Sequence, residues 1–374
     1  MFTKTTAHLD KIKWTPEKYE AFAAEINAIG EEVRSRMGEE DVDYIKKVKQ
    51  VSRLSEIFGR TLIHFSLDPL TWSAGVFSLW IHQQLETIEI GHSALHGCWD
   101  GLKGAEEFYS PNFKWDTPIE EESWKKGHNI LHHQYTNIVG RDPDVNFGFL
   151  RTSHKTPWSP NHLFQIAQFF VGAPFFTWHL NLYFTGLGEL LRAPKKAGYT
   201  DVLPDRTPKT VLKAGRQSLK KLVPHFLKNY LFWPSLAGPL WWKVFTGNLF
   251  ADMMRNIYSC ATIYAGHFGD DLAYYDKSFQ AKGRGEWYKS QIEAAHDYEV
   301  PKPVSLLCGA LDYQIEHHLF PKLPPNRLRE IAPKIQEICK KYGIRYNKAA
   351  WGKNLSGALK RLAKMSVPLG KSPS

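Results

Sequence analysis

Gly127-His128-Asn129-Ile130-Leu131-His132-His133-Gln134 is the stretch on which the reading of this chain turns. On a helix, side chains four apart lie over one another, so His128 and His132 offer two imidazoles to one point. Upstream, Gly91-His92-Ser93-Ala94-Leu95-His96 repeats the pair, and downstream Asp312-Tyr313-Gln314-Ile315-Glu316-His317-His318 adds a second doublet. Neighbouring helical residues point about 100° apart. His132-His133 and His317-His318 therefore serve a single ion poorly but can bridge toward two. A lone i,i+4 pair is ordinarily structural. Two pairs and two doublets, all outside the apolar runs, describe a two-metal site. Imidazole suits Fe, Zn, Cu and Ni alike, so ligand type leaves the metal open.

The histidines sit beside long stretches poor in charge. Thr61–Leu85 holds only Asp68, Thr156–Gly188 holds no Lys, Arg, Asp or Glu, and Asn229–Gly269 holds only Lys243, Asp252 and Arg255. A membrane span needs about 20 mostly apolar residues, and each stretch is long enough. Scattered Gln, Asn, His and Thr leave a second reading open, the buried helices of a soluble enzyme. The 13 Trp and 16 Tyr suit an apolar body meeting a wet edge. Polar and apolar blocks alternate without repeats or low-complexity linkers, which predicts one domain over residues 1–374. Thr15-Pro16-Glu17 opens a helix, with Tyr19, Phe22, Ala23 and Ile26 on one face. Residues 1–59 lack the apolar core of a signal peptide and are expected to stay cytosolic as a helical segment.

Charge excludes other classes. The chain carries 48 basic and 38 acidic residues, +10 in all. Lys322–Ser374 contributes 13 basic and 2 acidic residues, so this tail is +11 and the rest −1. Blanket basicity of the nucleic-acid-binding kind is absent. Four dispersed Cys give no disulfide framework or zinc ribbon. Glu89-x-x-His92 and Glu293-x-x-His296 match the pair used by carboxylate-bridged di-iron bundles, but that site would leave the doublets idle.

Taken together, His92-x-x-x-His96, His128-x-x-x-His132-His133 and Gln314-x-x-His317-His318 resemble the three histidine boxes of the membrane fatty-acid desaturase family. Gln314–Pro321, reading QIEHHLFP, is the most specific piece. The surrounding text, GHSALHGCWD, HHQYTN and LPPNRLREIAPKI, resembles the bacterial stearoyl-CoA Δ9-type branch, which draws on NADPH through a separate reductase. The resemblance spans roughly Gly59 to Met365. It implies an all-α, multi-span membrane bundle under a cytosolic helical cap that holds two Fe ions, with the acyl chain in an enclosed tunnel.

Carried over residue by residue, the boxes give seven ligands, and the place of the family's eighth, between the last span and the third box, is occupied by His267. Gln314 stands where the animal branch has His and is not counted. Near Asp297 the family often has Asn, so His296 or Asp297 stays open as a further ligand. Trp99, beside the first box, is a candidate for lining the acyl slot, and Asp312 or Glu316 for orienting imidazoles. The implied reaction is O2-dependent cis-desaturation of a long-chain acyl-CoA or acyl-lipid. Its two electrons would come from a ferredoxin-like or NADPH-dependent flavin or iron–sulfur partner. Its alternatives are hydroxylation on the same scaffold and, in a different class, a membrane zinc hydrolase.

Two topological expectations follow. All boxes must reach one site, so an even number of crossings separates His133 from His267. Four spans, with Thr156–Gly188 and Asn229–Gly269 as single crossings, satisfy this but place the basic connector Glu189–Lys228 opposite the metals, against the positive-inside tendency. The metal site and both termini are expected to be cytosolic, with the basic tail a candidate face for lipid headgroups, an acyl-CoA or an acidic donor.

Overall fold

The computed structural model describes residues 13–368; the outermost ends of the two terminal segments lie outside them. Helix α1 (Pro16–Ser35) starts where the sequence places it, with Pro16 in the first turn and Thr15 Oγ1 accepting from the Lys18 N–H at 3.3 Å. Phe22, Ala23 and Ile26 are buried in one core with Ile315, Leu319 and Phe320, so α1 covers the third box.

Two helical hairpins stand side by side. In the first, α2 (Glu39–Phe65) turns at Ser66 into α3 (Pro69–Gln84), whose N-terminus Asp68 caps through the Thr71 N–H at 2.8 Å. The helices pack backbone to backbone: a Cβ on Gly59 would lie 2.6 Å from Leu79 N, and one on Gly75 2.8 Å from Ile63 N. Residues 165–184 follow later in the chain as two short helices, α4 (Gln165–Gly172) and α5 (Phe176–Phe184). In the second hairpin, α6 (Pro208–Phe226) continues through a wide turn to Ser235, and α7 (Trp241–His267) returns. The tips lie together, since Lys243 Nζ donates to His64 O at 2.9 Å and Ser66 O at 2.8 Å. Phe65, Leu67, Leu70, Leu236, Trp241 and Trp242 are exposed there.

Among the described residues, no helix is long and apolar enough to cross a membrane. The expected span Thr156–Gly188 is instead the broken pair α4 and α5, interrupted at Ala173-Pro174-Phe175. Pro174 lacks an N–H, and the pair lies against α7, with Thr177 Oγ1 donating to Asn256 Oδ1 at 2.7 Å. The expected position of the connector is corrected too. Lys221 pairs with Glu121 at 2.7 Å and Lys126 Nζ donates to Val202 O at 2.7 Å, so the connector lies on the side of the second histidine box. Two chain passages, α6 and α7, then separate His133 from His267. Asp252 and Arg255 do pair, buried, with Tyr230 OH on the same carboxylate at 2.8 Å.

Beyond α7 come α8 (Arg284–Glu293), α9 (Gln314–Leu319), α10 (Pro325–Tyr342) and α11 (Trp351–Met365). Among the described residues a short parallel pair, β1 (Asp297–Glu299) with β2 (Lys348–Ala350), and an isolated bridge between Ile138 and Tyr275 interrupt the helical architecture. The basic tail is not a free patch along α10. Arg327 pairs with Asp41, Lys334 with Glu32 and Lys341 with Glu25, which lashes α10 to α1 and α2.

Candidate metal centre

The first two boxes share one local device. Leu85–His92 and Lys125–His132 are π-helical, and each ends on a box histidine. Such wide turns are frequent at functional sites. In the second, the His133 N–H bonds to His128 O, an i→i+5 contact. Widening the turn makes positions i+4 and i+5 straddle position i, so His132 and His133 both face the side of His128. Gly127 is required beside it, because a Cβ there would run into the Phe184 ring.

Tertiary packing gathers all eight predicted histidines. Donor atoms of His92, His96, His128 and His317 lie within 4.8 Å of one another, and those of His132, His267 and His318 form a second such group. His133 sits at the junction, its Nε2 3.3 Å from His128 Nε2 and its ring 4.4 Å from that of His318. Nitrogens meet at 3.2 Å between His92 and His128 and at 3.3 Å between His267 and His318. Two nitrogens each about 2.0–2.1 Å from one ion, at right to tetrahedral angles, lie about 2.8–3.4 Å apart. His96 Nε2 and His317 Nε2 are buried without a hydrogen-bond partner among the described residues. Mutual burial pushes His128, His133, His317 and His318 well below the ordinary histidine range, into the neutral form that binds metal. The residues fit a pair of metal ions.

His132 differs. Burial opposes its charged form, but Asp142 and Asp144 outweigh it and hold its pKa up at about 9. Its Nδ1–H donates to Asp142 Oδ1 at 3.0 Å, which directs Nε2 inward. Behind His318, Nδ1–H donates to Gln291 Oε1 at 3.0 Å, and Thr136 Oγ1 bonds the same amide at 2.8 Å. Asp142, Asp144, Gln291 and Thr136 are supports that sequence reasoning missed. Asp142-Pro143-Asp144 stands ten residues past His132 and gave a signal only in hindsight. The chain reverses at Asn137, at φ 57°, whose N–H donates to Asp142 Oδ2 at 2.8 Å.

Other candidates fall elsewhere. Asp312 accepts from Ser305 Oγ at 2.7 Å and Glu316 from Tyr346 OH at 2.9 Å, so neither orients an imidazole. His296 faces Asp271 at 2.9 Å, and Asp297 accepts from the Ile315 N–H and Tyr346 OH; neither joins the donors. Gln314, not counted as a ligand, brings its amide to 2.7 Å from His267 Nε2. Glu89 is held by Tyr44 and lies 3.6 Å from Arg329, and Glu293 is bonded by Tyr275 and Lys289, so the carboxylate-bridged alternative has no site. Trp99 is fully buried against Phe108, at 5.8 Å between rings, and lies outside the lining of the adjoining cavity.

That cavity is apolar. His92, His128, His132 and His267 form one wall, and Ile88, Phe147, Phe176, Leu180, Ile263 and Phe268 are among those that form the rest. A second apolar pocket, reaching exposed Phe149, Val171 and Leu191, shares Phe147, Phe176 and Tyr264 with it.

Buried imidazole donors that could hold metal ions face an apolar slot inside a helical scaffold, an arrangement suited to an enzyme acting on an apolar chain. The sequence model described as fatty acid desaturase matches residues 69–350, and the chain belongs to that family. It is an oxidoreductase, an acyl desaturase. It is 32% identical over 361 residues to the NADPH-dependent stearoyl-CoA 9-desaturase of Mycobacterium tuberculosis, covering 95% of this chain and 81% of that protein. The Delta 8-(E)-sphingolipid desaturase of Lachancea kluyveri is 26% identical over 94% of this chain and 61% of its own length. The sn-1 linoleoyl-lipid 6-desaturase of Arthrospira platensis is 26% identical over 60% of this chain and 58% of its own length.

Proposed function

We propose that this protein uses O2 and two Fe ions to introduce a cis double bond into a long-chain acyl group carried on CoA or lipid, with electrons from a separate redox protein. The observation that carries this is the wall shared by the histidine donors and the apolar cavity. A redox-active metal pair supplies, when bound, the oxidising power that an unactivated methylene demands. His92, His96, His128 and His317 would hold one ion and His132, His267 and His318 the other, with His133 between them. Asp142 and Gln291 keep the protons of His132 and His318 on the outward nitrogens. Aromatic and aliphatic walls hold the acyl chain against the donors and keep water away.

A bilayer location is supported by the exposed apolar tips of both hairpins. In this reading the tips sit in lipid, and the cap with its histidines faces the cytosol. The basic residues of α6 lie near that side, as the positive-inside tendency asks. Lipid analysis of cells expressing the chain, with and without His132→Ala, tests the function. A product lighter by two hydrogens, absent from the variant, is expected. A product heavier by one oxygen would make the enzyme a hydroxylase, and zinc in place of iron would end the redox reading.

A further inference from the structure

The backbone from His267 to Gly269 separates two cavities of opposite character. His267 and Phe268 line the apolar cavity, while Gly269 lines a polar pocket on the far side. The two share no lining residue, so an acyl chain does not reach the donors through the polar one. Around it stand Arg345, Lys348, Lys353 and Lys360, against one carboxylate, Asp271. Asp271 is already engaged, by His296 at 2.9 Å and Arg345 at 3.0 Å, and Lys348 pairs with Glu299 at 3.5 Å. Lys353 and Lys360 are exposed and make no ion pair among the described residues. They lie seven apart, on one face of α11. Lys353 occupies the first turn of that helix, which has no acidic residue and where the helix dipole disfavours a cation. The fold therefore concentrates unneutralised positive charge here.

The pocket is also close to the donors. The His296 N–H, in the pocket wall, donates to Gly266 O at 2.8 Å, and His267 is the next residue. A second polar opening, beside His96, faces Lys125 and Lys322 with Asp100 and Glu122 and is charge-balanced. Each turnover removes two hydrogens from the acyl chain and reduces one O2 to two waters. It therefore consumes two further electrons and two protons, and a one-electron carrier must visit twice.

We propose that the pocket formed by Arg345, Lys348, Lys353 and Lys360 is the docking site of an acidic one-electron carrier protein, which delivers electrons one residue away from His267. The proposal rests on the desaturase reading. Its test uses purified, iron-loaded full-length enzyme with a plant-type [2Fe–2S] ferredoxin, ferredoxin reductase and NADPH. At about 0.05 M salt, Lys353→Glu/Lys360→Glu is expected to raise the KM for ferredoxin about tenfold and to weaken binding of oxidised ferredoxin by a similar factor. Both differences should close to within about twofold near 0.5 M salt. The KM for acyl-CoA should hold, as should product yield in a single turnover after chemical reduction by dithionite. Lys340→Glu, on α10, should change neither. An unchanged ferredoxin KM, a rise in the acyl-CoA KM instead, or a parent enzyme that does not bind ferredoxin would overturn the docking site. A parent enzyme that forms no product even with dithionite would overturn the desaturase reading itself.

Discussion

The two histidine groups are built differently. In the group of His132, His267 and His318, two members are oriented from behind by hydrogen bonds, His132 to Asp142 and His318 to Gln291 with Thr136. The group of His92, His96, His128 and His317 is oriented by packing. Trp124 stacks on His128 at 4.5 Å and meets His92 and His96 edge-on at 5.6 and 5.4 Å. The nearest carboxylate to this group, Asp144, is 3.9 Å from His128 Nδ1, beyond hydrogen-bond range. A carboxylate behind a ligand raises its basicity, whereas an indole only fixes its place. The second group should therefore hold its ion through electrostatics and the first through preorganised shape.

The strongest way to break this comparison is His132→Ala. Activity should disappear, and iron per chain by elemental analysis should fall by about half, because only one group loses a ligand. Retention of both ions would show that the groups are not separate. Next comes Asp142→Asn, which keeps the shape and removes the charge. Iron affinity of the second group should drop about 10–100-fold in a chelator competition while the first stays filled. Equal loss from both would erase the asymmetry.

A pH experiment sharpens the same contrast. In metal-stripped protein the His132 pKa is raised to about 9, so its stabilising contribution is fully present below the ordinary histidine value of 6.5 and is lost as pH rises through 9. Melting of the stripped protein should therefore fall across that window, and Asp142→Asn should flatten the slope. A slope that survives the substitution would place its origin elsewhere. The smallest effect belongs to Trp124→Leu. It should cost about 0.5–1.5 kcal/mol of aromatic packing and slow turnover with both ions retained; loss of iron from the first group would mean that shape alone does not hold it.

Much of the centre was legible because its signal is local. Spacing of four on a helix fixes a shared face, and all eight predicted histidines converge. The doublets were read as bridges between two ions, and His133 at the junction fits that reading. What spacing could not show was the π turn, since a wider turn costs nothing in sequence and appears only as the His133 N–H bonding to His128 O. Supports of the centre were equally hidden. Asp312 and Glu316 sit nearer the third box in sequence than Asp142 or Gln291, yet the chain turns them toward Ser305 and Tyr346.

Topology divides along the same line. Thr61–Leu85, expected to begin a hairpin, instead contains its turn at Ser66–Asp68, and the first arm starts at Glu39, inside the segment set apart as cytosolic. Thr156–Gly188 had the composition of a span and was broken at Pro174. Composition measures hydropathy, while a crossing also needs unbroken length. The sequence by itself determined the helical class, the eight imidazoles and the excess of charge in the tail, because each depends on residue type and short spacing. Tertiary structure alone decided which carboxylates stand behind which histidines and which side the connector occupies. It also decided which cations remain free, because ion pairs form between segments distant in sequence. Arg327, Lys334 and Lys341 find acids on α1 and α2, whereas Lys353 and Lys360 find none among the described residues, and only folding separates the two sets.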